Sequence, residues 1–174
     1  MNNEVLQNIR TRRSCRAYTA QPVEPEKLKA ILEAGTWAAS GHGWQAAKIV
    51  VLQDAAEIAE LERMNAAVLG NPAAHPFYGA PVVCVVLADP ERYTCVEDGA
   101  LVMGNLMLAA HSLGVASCWI HRAREEFDSP EGKALLKKWG VDERYIGVGH
   151  CILGYAANEA PAPKPRKNDY VIYR

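Results

Sequence analysis

The chain has 174 residues, 49% of them apolar, and 19 Lys and Arg against 20 Asp and Glu give a formal net charge of -1. That is enough apolar sequence for one hydrophobic core and little for two, so residues 1–174 are expected to form a single domain. It excludes a disordered chain, and the near-zero charge argues against a domain that coats itself in nucleic acid.

The five cysteines are odd in number, scattered, and contain no Cys-x-x-Cys pair, so neither a disulfide framework nor a metal site is indicated. No apolar run reaches the roughly eighteen residues of a membrane span, and the polar amino terminus lacks the apolar core of a signal peptide. A reducing cytoplasm is the expected compartment.

In chain order, Val5 and Ile9 lie one turn apart and predict a short helix over Glu4–Ile9, followed by extended chain in "RRSCRAYTAQPV" (12–23). "EPEKLKAILEAGTWAAS" (24–40) predicts a helix with Pro25 in its first turn and Leu28, Ile31, Leu32 and Gly35 on one face. "SGHGWQ" (40–45) is a loop and "KIVVLQ" (48–53) a strand. Asp54 and Glu57 resemble a capping box ahead of a helix carrying Ile58, Leu61 and Met64. After the loop at 70–80, "PVVCVVLAD" (81–89) predicts a strand buried on both faces. A long helix from Glu97 to Gly114 is apolar around most of its circumference, which places it centrally or in a subunit interface. "VASCWI" (115–120) predicts a strand, "PEGKALLKKWG" (130–140) a helix, and "YIGVGHCILGY" (145–155) a last long strand. Prolines 161, 163 and 165 keep the tail (160–174) extended, with an apolar tip at Tyr170–Tyr173 that forms an edge strand or wraps a partner.

Chemistry-bearing residues cluster at the amino terminus. Arg12, Arg13, Ser14 and Arg16 offer guanidinium forks and a hydroxyl suited to phosphate oxygens, and strand alternation would turn Arg12, Ser14 and Arg16 one way and Arg13 and Cys15 the other. Read alone, the same residues fit ordinary surface ion pairing slightly better. The glycine-rich phosphate loops of dinucleotide and triphosphate sites are absent. His42, His75, His111, His121 and His150 lack metal-ligand spacing, and His111 reads as a packing residue inside the long helix. Asn105 needs a partner if buried, within the chain or on a ligand.

Four stretches, "RRSCRAY", "ILEAGTWAASGHGWQ", "EDGALVMGNLMLAAHSLGVASCWI" and "GHCILGYAANEAPAPKPRK", together resemble the FMN-dependent nitroreductase family, in its short single-domain branch, in order and spacing across nearly the whole chain. The resemblance implies an α+β fold with a mostly antiparallel central sheet flanked by helices, and an obligate homodimer with FMN at its interface. It implies that Arg12, Arg13 and Ser14, with Arg16 close by and Arg166 from the tail, hold the FMN phosphate and ribityl region. Ala39, Ser40 and Gly41 would approach the flavin from the partner subunit, and Cys118, Trp119, Ile120 and His121 would run past its ring. Asn105 matches a polar position of the family's central helix.

No side chain would be catalytic in the usual sense, because FMN N5 carries the hydride from NADH or NADPH to a small organic acceptor such as a nitro compound or quinone. A flavin-binding storage or sensing protein, and a reductase of activated alkenes, are the alternatives. The chain departs from the family's pattern at Gly43, Ala46 and Ala47, where asparagine, proline and tryptophan are usual. Trp44 stands at a variable position, and His121 stands where a glycine is common.

Overall fold

The computed structural model describes residues 3–174. Four strands, β1 (Ala47–Leu52), β2 (Val82–Ala88), β3 (Ala116–Ile120) and β4 (Ile146–Gly154), form one sheet in the order β1-β2-β4-β3, antiparallel throughout. The continuous apolarity of the two middle strands has its cause in layers on both faces. Val82, Cys84 and Val86 of β2 pack with α2 (Pro25–Thr36) and α4 (Cys95–Ser112), while Val83, Val85 and Leu87 pack beneath α3 (Ala55–Val68), α5 (Ala123–Asp128) and α6 (Pro130–Lys138). The remaining helix, α1 (Glu4–Thr11), is capped by the Asn3 side chain and lies on α4, where Asn8 donates to the Leu108 carbonyl at 2.9 Å. The fold is therefore α+β, an antiparallel sheet flanked by helices, with the tail from residue 160 extended and exposed.

Strand β4 contains a bulge. Val86 is opposite Gly149 but Leu87 is opposite Gly147, so Val148 is an extra residue. It lets Ile146 and Val148 share a face with Cys151 and Leu153 despite the change of parity. The two glycines beside it are there for space: a Cβ on Gly147 would strike the Ala123 carbonyl, and one on Gly149 would meet the Trp119 indole.

Several expectations change. The second helix stops at Thr36 and the central one starts at Cys95. The short α5 was not anticipated. Only half of the capping box forms: Asp54 accepts from the N–H groups of Ala56 and Glu57 at 3.0 Å, whereas the Glu57 carboxylate turns away to pair with Lys138 at 2.9 Å. Tyr170–Tyr173 is not a strand, and its side chains stand in solvent, Tyr173 at 91% exposure.

Candidate anion and cofactor site

Beyond α1 the chain turns along the outer edge of the sheet. Ser14 bridges Ser117 of β3, Cys15 N–H donates to the Ser117 carbonyl at 3.0 Å, and Tyr18 bridges Ala156 just past β4. The opening basic stretch thus covers the edge that β3 would otherwise leave unpaired. Between it, the C-terminal end of α4 and the start of the tail lies a cavity of about 490 Å³, lined in part by Arg13, Ser14, Arg16, His111 and Pro161.

The expected strand alternation is not observed. Residues Arg13 to Ala17 all line the cavity, because the segment touches the sheet only through isolated bridges. Arg13 curls back so that its Nη1 donates to the carbonyls of Arg10 and Arg12 at 2.7 Å, satisfying the end of α1. Arg12 goes inward, and its buried Nη1 has no hydrogen-bond partner. Among the described residues, none of Arg12, Arg13 and Arg16 comes within ion-pair distance of a carboxylate, so ordinary surface pairing does not account for them. A buried, unpaired guanidinium nitrogen is costly unless an anion meets it. The residues present fit a phosphate-bearing ligand.

His111 also faces this cavity, and its Nε2 lies 2.8 Å from the Thr11 hydroxyl. Partial burial holds its pKa below the usual histidine range, and the Arg12 and Arg13 charges push it the same way. It is more than the packing residue its helix context suggested. Two buried cysteines of the sheet are poor nucleophiles: burial raises the pKa of Cys118, and Cys84, opposite Cys151 in the β2–β4 register, is pushed up to about 12.

Cys118 and Ile120 of β3 are buried toward α5, while Trp119 packs on the opposite face and His121 is exposed at the strand's end. The residue with glycine-like backbone geometry here is Arg122, at φ 79°, one position beyond the expected His121. Fully buried Asn65 of α3 holds this turn. Its Nδ2 donates to the His121 carbonyl at 2.8 Å, and its Oδ1 accepts from Arg122 Nε and Nη2 at 3.0 and 2.8 Å. Because a trans peptide points its C=O and N–H in opposite directions, fixing the His121 carbonyl inward turns the Arg122 N–H outward. Asn65 was missed in the sequence, although an asparagine on the apolar face of a helix is the available signal.

Ala39 and Ser40 are elsewhere. They line a second cavity of about 1040 Å³ that runs along α2 and the outer edge strand β1. Asp98, buried in α4, accepts from the Gly41 N–H at 3.0 Å and from the Thr94 hydroxyl at 3.2 Å, fixing the head of that loop. Asn105 lines neither cavity: its Nδ2 donates to the Ala34 carbonyl at 3.0 Å and ties α4 to the end of α2. Arg166 is exposed, donates to the Lys164 carbonyl at 3.0 Å, and does not line the cavity beside Arg13–Arg16.

These features define an α+β protein with a cation-lined cavity against one sheet edge. Residues 9–155 match the model of the nitroreductase family, and the chain belongs to that family, whose function is FMN-dependent oxidoreduction of the nitroreductase type. A nitroreductase with bound FMN from Bacteroides fragilis superposes with a TM-score of 0.91 at 32% identity, covering 99% of this chain and 100% of its own. A nitroreductase with bound FMN from Desulfitobacterium hafniense gives 0.91 at 30% identity, covering all of both chains. A relative from Archaeoglobus fulgidus is 32% identical over 162 residues, 90% of this chain and 87% of its own.

Proposed function

We propose that the protein is a homodimeric oxidoreductase that binds FMN in the cavity beside Arg12–Arg16 and moves a hydride from NADH or NADPH to a small organic acceptor. The observation that carries this reading is the buried, unpartnered Nη1 of Arg12, next in the chain to the cavity-lining Arg13, Ser14 and Arg16, none of which pairs with a carboxylate among the described residues, Glu159 of the cavity wall included. FMN-bound relatives of the same fold support FMN as the phosphate-bearing ligand. When bound, FMN supplies the hydride chemistry itself.

The chain's own residues then do four things. Arg12, Arg13 and Ser14 hold the phosphate and ribityl end, and Arg16 adds positive charge at the cavity's edge. His111, whose pKa burial and then the Arg12 and Arg13 charges hold down, offers a ring nitrogen to the cavity for hydrogen bonding. Asn65 fixes the His121–Arg122 peptide so that one N–H points away from the core. Cys118 to His121 give the ring a rigid strand to lie against.

The dimer is supported by apolar surface that a lone chain leaves bare: Val5 and Ile9 on α1, Leu101 on α4, and Trp37, 79% exposed. The tail tip needs burial as well, and β1 is an edge strand beside the larger cavity. In this reading residues 160–174 of each copy cross to the other, bringing Arg166 to the phosphate. The Ala39–Ser40–Gly41 loop then reaches the flavin region from the partner side of the interface. Among the described residues no helix is long and apolar enough to cross a membrane, and the free cysteines suit a cytoplasmic setting.

The experiment is an absorbance spectrum of the purified protein followed by anaerobic addition of NADH and NADPH. A flavin spectrum that bleaches with either nicotinamide supports the oxidoreductase. A flavin spectrum that survives both favours a binding protein without turnover, and a colourless protein that takes up no FMN overturns the reading.

A further inference from the structure

The "SGHGWQ" loop holds an aromatic stack in the open. His42, Gly43 and Gln45 have φ of 53°, 68° and 50°, so two non-glycine side chains lie in the left-handed region, a conformation that costs free energy and persists only when its surroundings impose it. Asp98 and Ser40 impose it, through the Gly41 N–H and through the Gln45 N–H, which donates to Ser40 Oγ at 3.0 Å.

The strain displays a particular surface. The His42 ring stacks on Trp44 with centroids 4.7 Å apart and planes 30° apart, and Tyr93 meets Trp44 edge-on at 5.3 Å. The Tyr93 hydroxyl lies 2.9 Å from His42 Nε2. Core packing is not the reason for the cluster, because His42, Trp44 and Tyr93 are all exposed. Beside them the Arg92 guanidinium lies 5.1 Å from the Trp44 ring centroid, with no carboxylate partner and no side-chain hydrogen bond among the described residues. Ser40 and Gln45 of the same loop line the larger cavity, so the stack stands at its rim.

We propose that His42, Trp44, Tyr93 and Arg92 form a recognition site for a flat aromatic ring that carries an anionic group. The ring extends the His42–Trp44 stack and the anion meets Arg92, whose charge no carboxylate among the described residues pairs with. Two sources share this chemistry: an aromatic acid arriving as electron acceptor, and the phosphorylated adenosine end of a dinucleotide donor. The identity of the bound molecule as a reactant rests on the oxidoreductase reading. The site itself does not.

Calorimetry on the FMN-loaded protein tests it with 4-nitrobenzoate against nitrobenzene, and with adenosine 2′,5′-bisphosphate against adenosine. One charged ligand should bind more tightly than its uncharged counterpart, which names the source. Trp44→Ala should weaken that binding at least about tenfold, Trp44→Phe should restore much of it, and Arg92→Gln should bring the charged ligand down to its counterpart. Equal binding by wild type, Trp44→Ala and Arg92→Gln, or no binding of either charged ligand to wild type at millimolar concentration, overturns the site. Turnover with NAD(P)H, measured separately, tells failure of the oxidoreductase reading from failure of this one.

Discussion

Asn65 and Arg122 hold each other in place: a fully buried amide accepts two guanidinium hydrogen bonds from a residue in the left-handed region and clamps the carbonyl just before it. The turn that ends β3 therefore depends on a helix residue far away in sequence. Asn65→Ala should leave the His121 carbonyl without its partner and lower stability by about 2 kcal/mol. Arg122→Gly and Arg122→Ala both lose the guanidinium, so the difference between them isolates backbone strain, and the glycine variant should be more stable by about 1 kcal/mol. Urea unfolding of the three variants measures both effects. Equal stability of the two Arg122 variants would show that the left-handed backbone carries no strain.

Glu126 and His150 form a second long-range pair, between α5 and β4. Both are fully buried, Glu126 Oε2 lies 2.5 Å from His150 Nε2, and the Phe77 and Phe127 rings sit 5.4 and 6.2 Å from the imidazole. Truncating either partner strands the other in an apolar shell, at a cost of about 3 kcal/mol or more. The double variant Glu126→Leu with His150→Phe should lose less than the sum of its single variants, as a double-mutant cycle in urea will show. Strict additivity would mean the two groups are not coupled.

His111 reports the charge in the small cavity. Burial and then the Arg12 and Arg13 charges hold its pKa down. Its titration in the flavin-free protein, followed by NMR of the imidazole, should lie below the usual value of about 6.5. The sign for stability follows. As pH falls through about 6.5 the unfolded chain takes up the proton first, so this site destabilises the flavin-free protein on the acid side and contributes nothing well above that pH. FMN or inorganic phosphate beside the arginines should raise the midpoint. An unchanged midpoint on FMN binding would mean that the anion sits elsewhere.

Much of this was legible in the sequence. The unbroken apolar run Val82–Ala88 announces a strand covered on both faces, Ile146–Gly154 a last long strand, and Pro25, Gly114 and Gly140 punctuate helices where a chain must start or stop them. What was hidden is non-local. Six residues of α5 are too few to display a period, and the bulge at Val148 arises from a register shift that no single strand encodes. Alternation failed for Arg12–Arg16 because that segment never becomes a ladder strand. The basic stretch could be read as an anion seat, but its separation from a surface ion-pair cluster required seeing that no carboxylate of the described residues comes within ion-pair distance of it. Asn65 and Arg122 meet across α3 and β3 only in the fold.

If Arg12 meets the phosphate of FMN, the affinities of flavin-stripped protein for FMN and for riboflavin will show it. Arg12→Ala should weaken FMN binding about tenfold to a hundredfold, the loss of a charge-assisted hydrogen bond, and leave riboflavin binding unchanged. Arg166→Ala should act in the same direction if the tail reaches the partner's site. Wild-type FMN affinity in Arg12→Ala, or an equal loss for riboflavin, would show that Arg12 does not hold the phosphate.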